Sequence, residues 1–275
     1  MTNFVALGTA GELAQHAEAV CSLPDVQLHT ESANPLDANV HDGLILLDID
    51  DKAYWVDAAL EAGLPVLATH PIQRPDKGRR NESITPLCVL SQARLLRSHK
   101  SIQENLLLDN RISYYELKLT WDSTQFSTKR SDVQTQMGLI ACDLLHLISG
   151  PVDELYGHTR NFFHAGPVED WAMASLRMRN GCEALLQLVD YPGLANSLEI
   201  RSYAAGGGHM GEVAIPLEWQ VEDLRVYYDN FLGCICKRQQ PMLGWREVHE
   251  SYRLLYWLRA SARAGRVMHA RELQW

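Results

Sequence analysis

The run Gly-Leu-Ile-Leu-Leu-Asp-Ile at 43–49 places apolar side chains at consecutive positions, with no alternation. A strand buried on both faces accommodates that pattern, and such strands belong to parallel sheets covered by helices. The neighbouring segments agree. Residues 4–7 read as a strand, 10–22 as a helix and 25–30 as a second strand; 52–63 read as a helix closed by Gly63, and 64–70 as another strand. This alternation predicts a parallel, doubly wound sheet. Twelve residues, 31–42, separate the second strand from the 43–49 run, and Pro35 is among them. A parallel crossover consumes about a dozen residues, so no extra helix and strand fit there, and the nucleotide-type domain is expected to be abbreviated.

The pattern changes further along. Residues 71–85 combine two prolines, clustered charges and no apolar period, which marks a surface loop or linker. Residues 87–108 read as helical. Beyond them apolar and polar residues alternate over 112–121, 153–163, 171–180, 182–191 and 196–205, and Arg179-Asn180-Gly181 supplies a hairpin turn between two of these runs. Two closing helices follow at about 220–236 and 244–264. The expected organisation is an abbreviated Rossmann-like α/β domain over 1–85. An α+β domain over 86–275 follows, with a large, mostly antiparallel sheet and the closing helices.

Composition narrows the partners. Lys and Arg number 25 against 34 Asp and Glu, and a net charge of −9 argues against nucleic acid or an anionic membrane. No long uncharged apolar run suggests a transmembrane helix, and no basic-then-apolar leader opens the chain; cytoplasmic residence is expected. The six cysteines, at 21, 88, 142, 182, 234 and 236, show no CxxC spacing, and they read as buried thiols rather than a disulfide or metal framework.

Residues 4–20, FVALGTAGELAQHAEAV, begin like a dinucleotide-binding strand and helix. The fingerprint asks for glycine at 8, 10 and 13, and the chain has Gly8, Ala10 and Leu13. The glycines of that motif let backbone N–H groups approach a pyrophosphate, and Leu13 places a bulky side chain where helix and strand should approach.

Several stretches in order resemble the Gfo/Idh/MocA oxidoreductases. His16-Ala17 stands eight residues after Gly8, as in the family's GxGxxGxxHAxA. AALEAGLPVLATHP (58–71) is similar to AALEAGKHVLxEKP. CDLLHLISGPVDEL (142–155) is similar to DLLRWLLGPVEEV, and the tail 225–268 ends in a matching SARAGRVM. The resemblance implies a Rossmann-type domain followed by a sheet domain whose open face lines a substrate pocket or a subunit interface. It also implies, position by position, what has been replaced. The family's EKP lysine is His70 here and its glutamate Thr69; the aspartate and histidine on the helix before DLL are Gln136 and Ile140.

His70 is therefore the candidate base, since an imidazole exchanges protons near neutral pH; the competing reading is a loop histidine bonded to backbone. Gln136 is a candidate to hold a substrate oxygen, and Tyr114 a further catalytic candidate on the sheet. Gly8, Ala10 and His16 mark a vestigial cofactor cradle, and an intact NAD(P) site is disfavoured. Asp48, Asp50 and Asp51 read as helix-capping carboxylates rather than a magnesium site, so no metal is expected. Asp143 and His146, three apart on a helix, read as an anchoring pair. The faces taken by Tyr114, Tyr115, His158, His164 and Trp171 stay open, because one residue of register reverses them. GGGH at 206–209 reads as a loop between strands.

The expectation is a protein of small-molecule metabolism that has left nicotinamide-dependent hydride transfer. It would work as a lyase-, isomerase- or cyclase-type enzyme using His70, or as a non-catalytic partner subunit. It would assemble with itself or a catalytic homologue through the antiparallel sheet. The alternative is an NAD(P)-dependent oxidoreductase acting on a sugar-like or other small substrate.

Overall fold

The computed structural model describes residues 1–30, 32–47, 49, 51–69, 72, 85–91, 94, 112–122, 124, 134–163, 169–217, 220–237 and 239–272. The chain divides into two units, residues 1–91 with 219–248 and residues 92–218 with 249–275.

The first unit is built on five parallel strands: β1 (Thr2–Leu7), β2 (Val26–His29), β3 (Gly43–Leu46), β4 (Val66–Thr69) and β5 (Leu87–Leu90), in the order β2-β1-β3-β4-β5. β3 is buried along its whole length, as its continuous apolar run requires. No helix occurs among the described residues between β2 and β3, which are joined by turns, so the sheet is abbreviated where twelve residues left no room. β5 corrects the sequence expectation of a helix from residue 87. Leu87-Cys88-Val89-Leu90 is a four-residue apolar run buried on both faces, and a short apolar run carries no period that separates strand from helix.

Helices α1 (Ala10–Cys21) and α2 (Lys52–Glu61) connect these strands. A third helix of this unit, α4 (Val221–Ile235), arrives from far along the chain, after α3 (Leu139–Ser149) of the second unit. The sequence expectation placed both closing helices with the C-terminal domain. α4 instead buries Leu224, Tyr227, Tyr228, Phe231 and Cys234, one face at helical spacing. Phe231 meets Phe4 of β1 with ring centroids 5.2 Å apart, and Tyr228 stands edge-on to His16 of α1 at 5.9 Å.

The second unit is a seven-stranded sheet. Its strands are β6 (Ile112–Trp121), β7 (Val152–Arg160), β8 (Trp171–Met178), β9 (Glu183–Asp190), β10 (Ser197–Ala204), β11 (His209–Pro216) and β12 (Met268–His269), in the order β11-β10-β6-β9-β8-β7-β12. All pairs are antiparallel except β6 with β9. The turn at Arg179–Gly181 joins β8 to β9, with Gly181 at φ 86°, and the glycines at 206–208 turn β10 into β11. Alternate residues such as Leu117, Leu119, Leu176, Leu186 and Ile200 face a core shared with Leu144 and Leu145 of α3 and with Leu255, Trp257 and Leu258. The last three lie on α5 (Trp245–Ala264), within which the boundary between the units falls, after Val248. Gly157 of β7 admits this helix closely: a Cβ there would stand 2.8 Å from the Leu258 carbonyl oxygen, a backbone atom that cannot swing aside. Among the described residues, no helix is long and apolar enough to cross a membrane.

Candidate functional site

In a parallel sheet of this kind ligands bind at the carboxyl ends of the strands. In the first unit that edge begins at Gly8, immediately after β1. A Cβ at position 8 would stand 2.7 Å from Leu47 Cβ, so the glycine is required for packing against the residue following β3. Thr9 caps α1, and its N–H and hydroxyl both donate to one oxygen of the Glu12 carboxylate, at 3.3 and 2.8 Å. This is a capping box, in which a glutamate one turn into the helix satisfies donors at the helix start. It also puts a negative charge where a dinucleotide fold receives its pyrophosphate. Ala10 is exposed at the first helical position, and Leu13 is half-buried. At this turn the fingerprint's second and third glycine positions thus hold Ala10 and Leu13, and the Glu12 carboxylate stands at the helix start.

His16 lies apart from that turn chemistry. It is 5% exposed, and its Nδ1 hydrogen-bonds the Tyr228 hydroxyl at 2.9 Å. Burial holds the imidazole down at about 4, so it is neutral near pH 7 and joins α1 to α4.

At the next strand end, Asp51 is exposed at φ 53° and precedes α2. Asp48 and Asp50 lie outside the described residues, and among the described residues no group of three His, Cys, Asp or Glu could hold a metal. Lys52 was not singled out from the sequence. It is buried, and its Nζ donates to the Thr69 hydroxyl at 2.8 Å and the Thr69 carbonyl at 3.2 Å. An ammonium group is thus tied to the end of β4, directly before position 70. The one available signal was the pairing of an unusual lysine at a helix start with a threonine in the family's glutamate position. His70 itself lies outside the described residues.

In the second unit, Gln136 falls in a π-helical turn, Gln134–Gly138, that leads into α3; its side chain lies outside the described residues. Ile140 is a core residue. Asp143 does not pair with His146 as the spacing suggested. Arg94 takes it instead: Nε stands 2.9 Å from both carboxylate oxygens, and Nη2 2.5 Å from Oδ1. Burial lowers the pKa of His146, opposed by the nearby Glu250 and Asp143.

Register settles the tyrosines. Tyr115 faces the core, and Tyr114 takes the opposite, half-exposed face beside Tyr203 and Glu183. There a concavity of about 620 Å³ is lined by Tyr114, Glu116, Glu183 and Tyr203. The Tyr203 hydroxyl donates to Glu116 at 3.2 Å. Burial and then the adjacent Glu116 raise the Tyr114 pKa, so its phenol stays protonated. His158 and Trp171 are half-exposed, and His164 lies outside the described residues.

No protein-family model and no curated protein sequence matches the chain. Solved structures do. The WlbA dehydrogenase of Bordetella pertussis, in complex with NADH and UDP-GlcNAcA, superposes with a TM-score of 0.75 at 18% identity, over 98% of this chain and 97% of that one. Myo-inositol 2-dehydrogenase of Lactobacillus plantarum gives 0.74 at 15% identity, over 98% and 99%. GenD2 from gentamicin A biosynthesis, in complex with NAD, gives 0.73 at 12% identity, over 98% and 96%. The chain has the Gfo/Idh/MocA fold. Both parts of that fold are present over nearly its whole length.

Proposed function

We propose that this chain uses the Gfo/Idh/MocA fold to act in small-molecule metabolism without transferring hydride to a nicotinamide. It would be a non-redox enzyme of lyase, isomerase or cyclase type with His70 as base, or the non-catalytic subunit of an assembly. The supporting observation is the Glu12 carboxylate on the donors of Thr9. A helix start already neutralised by its own carboxylate repels a second, doubly charged anion. Ala10 and Leu13 in place of glycines act in the same direction.

The dehydrogenase reading draws on the neighbours crystallised with NADH and NAD. Calorimetric titration decides between the two. The proposal expects no heat of binding with NADH or NADPH at millimolar concentration, and a micromolar Kd for either would overturn it.

One observation favours the subunit reading within the proposal. Phe162 is 61% exposed and Phe163 43%, yet both are held in place by buried Asp170, whose two carboxylate oxygens accept their backbone N–H groups at 2.7 Å each. Trp171 and Tyr191 pack against them, with centroids 5.7 and 4.6 Å apart. An exposed, built aromatic cluster beside an open sheet face suits a protein contact. Sedimentation velocity of the wild type is expected to give a dimer or larger species, and Phe162→Ser with Phe163→Ser is expected to shift it to monomer. A wild type that sediments as monomer would remove this reading.

A further inference from the structure

The concavity of about 620 Å³ lies wholly within the second unit, on the sheet face turned away from the core. Strand register builds it. Tyr203 of β10, Tyr114 of β6 and Glu183 of β9 are successive cross-strand partners, so their side chains stand in one row. Glu116 is the next residue of β6 on the same face. Gly206 and Gly207, at φ 93° and 86°, close one side with backbone alone. The two tyrosine rings are 5.7 Å apart and tilted by 44°, a splayed pair rather than a stack. His209 stands edge-on to Tyr203 at 5.6 Å, and the Tyr203 hydroxyl is tied to Glu116 at 3.2 Å. The walls are therefore held in place before anything binds. Their charge is left unbalanced. Arg201, opposite Glu116, turns to the other side, with Nε 3.1 Å from Glu212 and Nη2 3.9 Å from Glu199. Arg177, opposite Glu183, reaches Glu154 at 3.8 Å, and Lys118 stands opposite Glu199. Among the described residues neither Glu116 nor Glu183 forms an ion pair.

We propose that this recess binds a small aliphatic amine, its ammonium groups on the Glu116 and Glu183 carboxylates and its carbon chain against the Tyr114 and Tyr203 rings. A carboxylate offers about four lone-pair sites, so Glu116 can accept from an ammonium group as well as from Tyr203. A cation within about 6 Å of a tyrosine face gains further attraction from the ring. The two kinds of wall act together on one class of ligand. An anion is repelled, and an uncharged molecule leaves both carboxylates unpaired. A bare metal ion has no use for the rings, and among the described residues no group of three His, Cys, Asp or Glu could hold one. The net charge of −9 draws cations toward the chain as a whole. The recess is also distinct from the aromatic cluster around Phe162. That cluster packs on Trp171, opposite Val189 and six residues along β9 from Glu183, about 20 Å away. Amine binding thus rests neither on the subunit reading nor on what the first unit binds.

Calorimetric titration of the full chain with 1,4-diaminobutane tests this, with 1,4-butanediol as the uncharged counterpart of the same length. The expected result is saturable one-to-one binding of the diamine with a sub-millimolar Kd, weakening as salt is added, and no binding of the diol. Glu116→Gln with Glu183→Gln keeps the shape of the recess and should weaken the diamine by about tenfold or more. Tyr114→Leu with Tyr203→Leu should weaken it severalfold. Glu222→Gln, which removes an exposed carboxylate from the first unit, should leave the affinity unchanged. Three results would each overturn the proposal: no saturable heat with the diamine, equal binding of the diol, or a loss in Glu222→Gln as large as in the double glutamine variant. The last would mean diffuse attraction to an acidic surface. Unchanged affinity in the tyrosine variant would place the amine elsewhere and overturn it too. The comparison of diamine with diol needs only the wild type, so it decides even if a variant fails to fold.

Discussion

Asp143→Ala is expected to destabilise the protein by about 3–5 kcal/mol, the cost of breaking a buried ion pair by removing one partner. The carboxylate is 1% exposed and the Arg94 side chain 15%, so water can do little to replace what is lost. The guanidinium approaches both oxygens through Nε and one of them again through Nη2, the forked geometry in which such pairs are strongest. Alanine leaves that cation desolvated without its carboxylate. A loss of this size is a large fraction of the 5–15 kcal/mol that holds a typical domain together. Urea denaturation gives the difference directly, and Asp143→Asn, which keeps an acceptor, should lose less. A measured loss below about 1 kcal/mol would mean a solvent-screened pair of the ordinary surface kind.

The second large effect is an acid-side loss of stability through His16. Burial lowers its folded pKa from 6.5 to about 4. Above pH 6.5 neither the folded nor the unfolded chain carries the proton, and the group contributes no pH dependence. Between 6.5 and 4 the unfolded chain binds a proton that the folded chain refuses. Stability therefore falls as the pH falls through that window, by up to about 3 kcal/mol in all. The direction at His146 is the same and adds to it. His16→Gln retains a polar partner for Tyr228 and cannot titrate, so its stability should fall less steeply with acid. Denaturation midpoints at about pH 7.5 and about pH 5 for both proteins test this; parallel lines would show that His16 is not the source.

The architecture was legible where period and burial coincide. β6 runs over the residues whose alternation marked it, because Tyr115, Leu117 and Leu119 fill one face, and β3 sits within its uninterrupted apolar run. The lack of room for an extra helix and strand over residues 31–42 could be measured in residues. Legibility failed where local pattern was silent. Leu87–Leu90 is too short to show a period. Asp143 has a suitable neighbour at 146, yet its partner is Arg94, far back along the chain. The tie between Lys52 and Thr69 depends on which elements fold together, and spacing alone does not carry that. For the site, the sequence offered residue types position by position but not their partners. The capping role of Glu12 needed the helix start itself.

Gly8 carries a lesson for reading motifs. Its missing side chain makes room for Leu47, and that need persists whatever the neighbouring turn binds. A glycine in a nucleotide fingerprint therefore answers to two demands, one from a ligand and one from packing, and at position 8 the packing demand alone accounts for it.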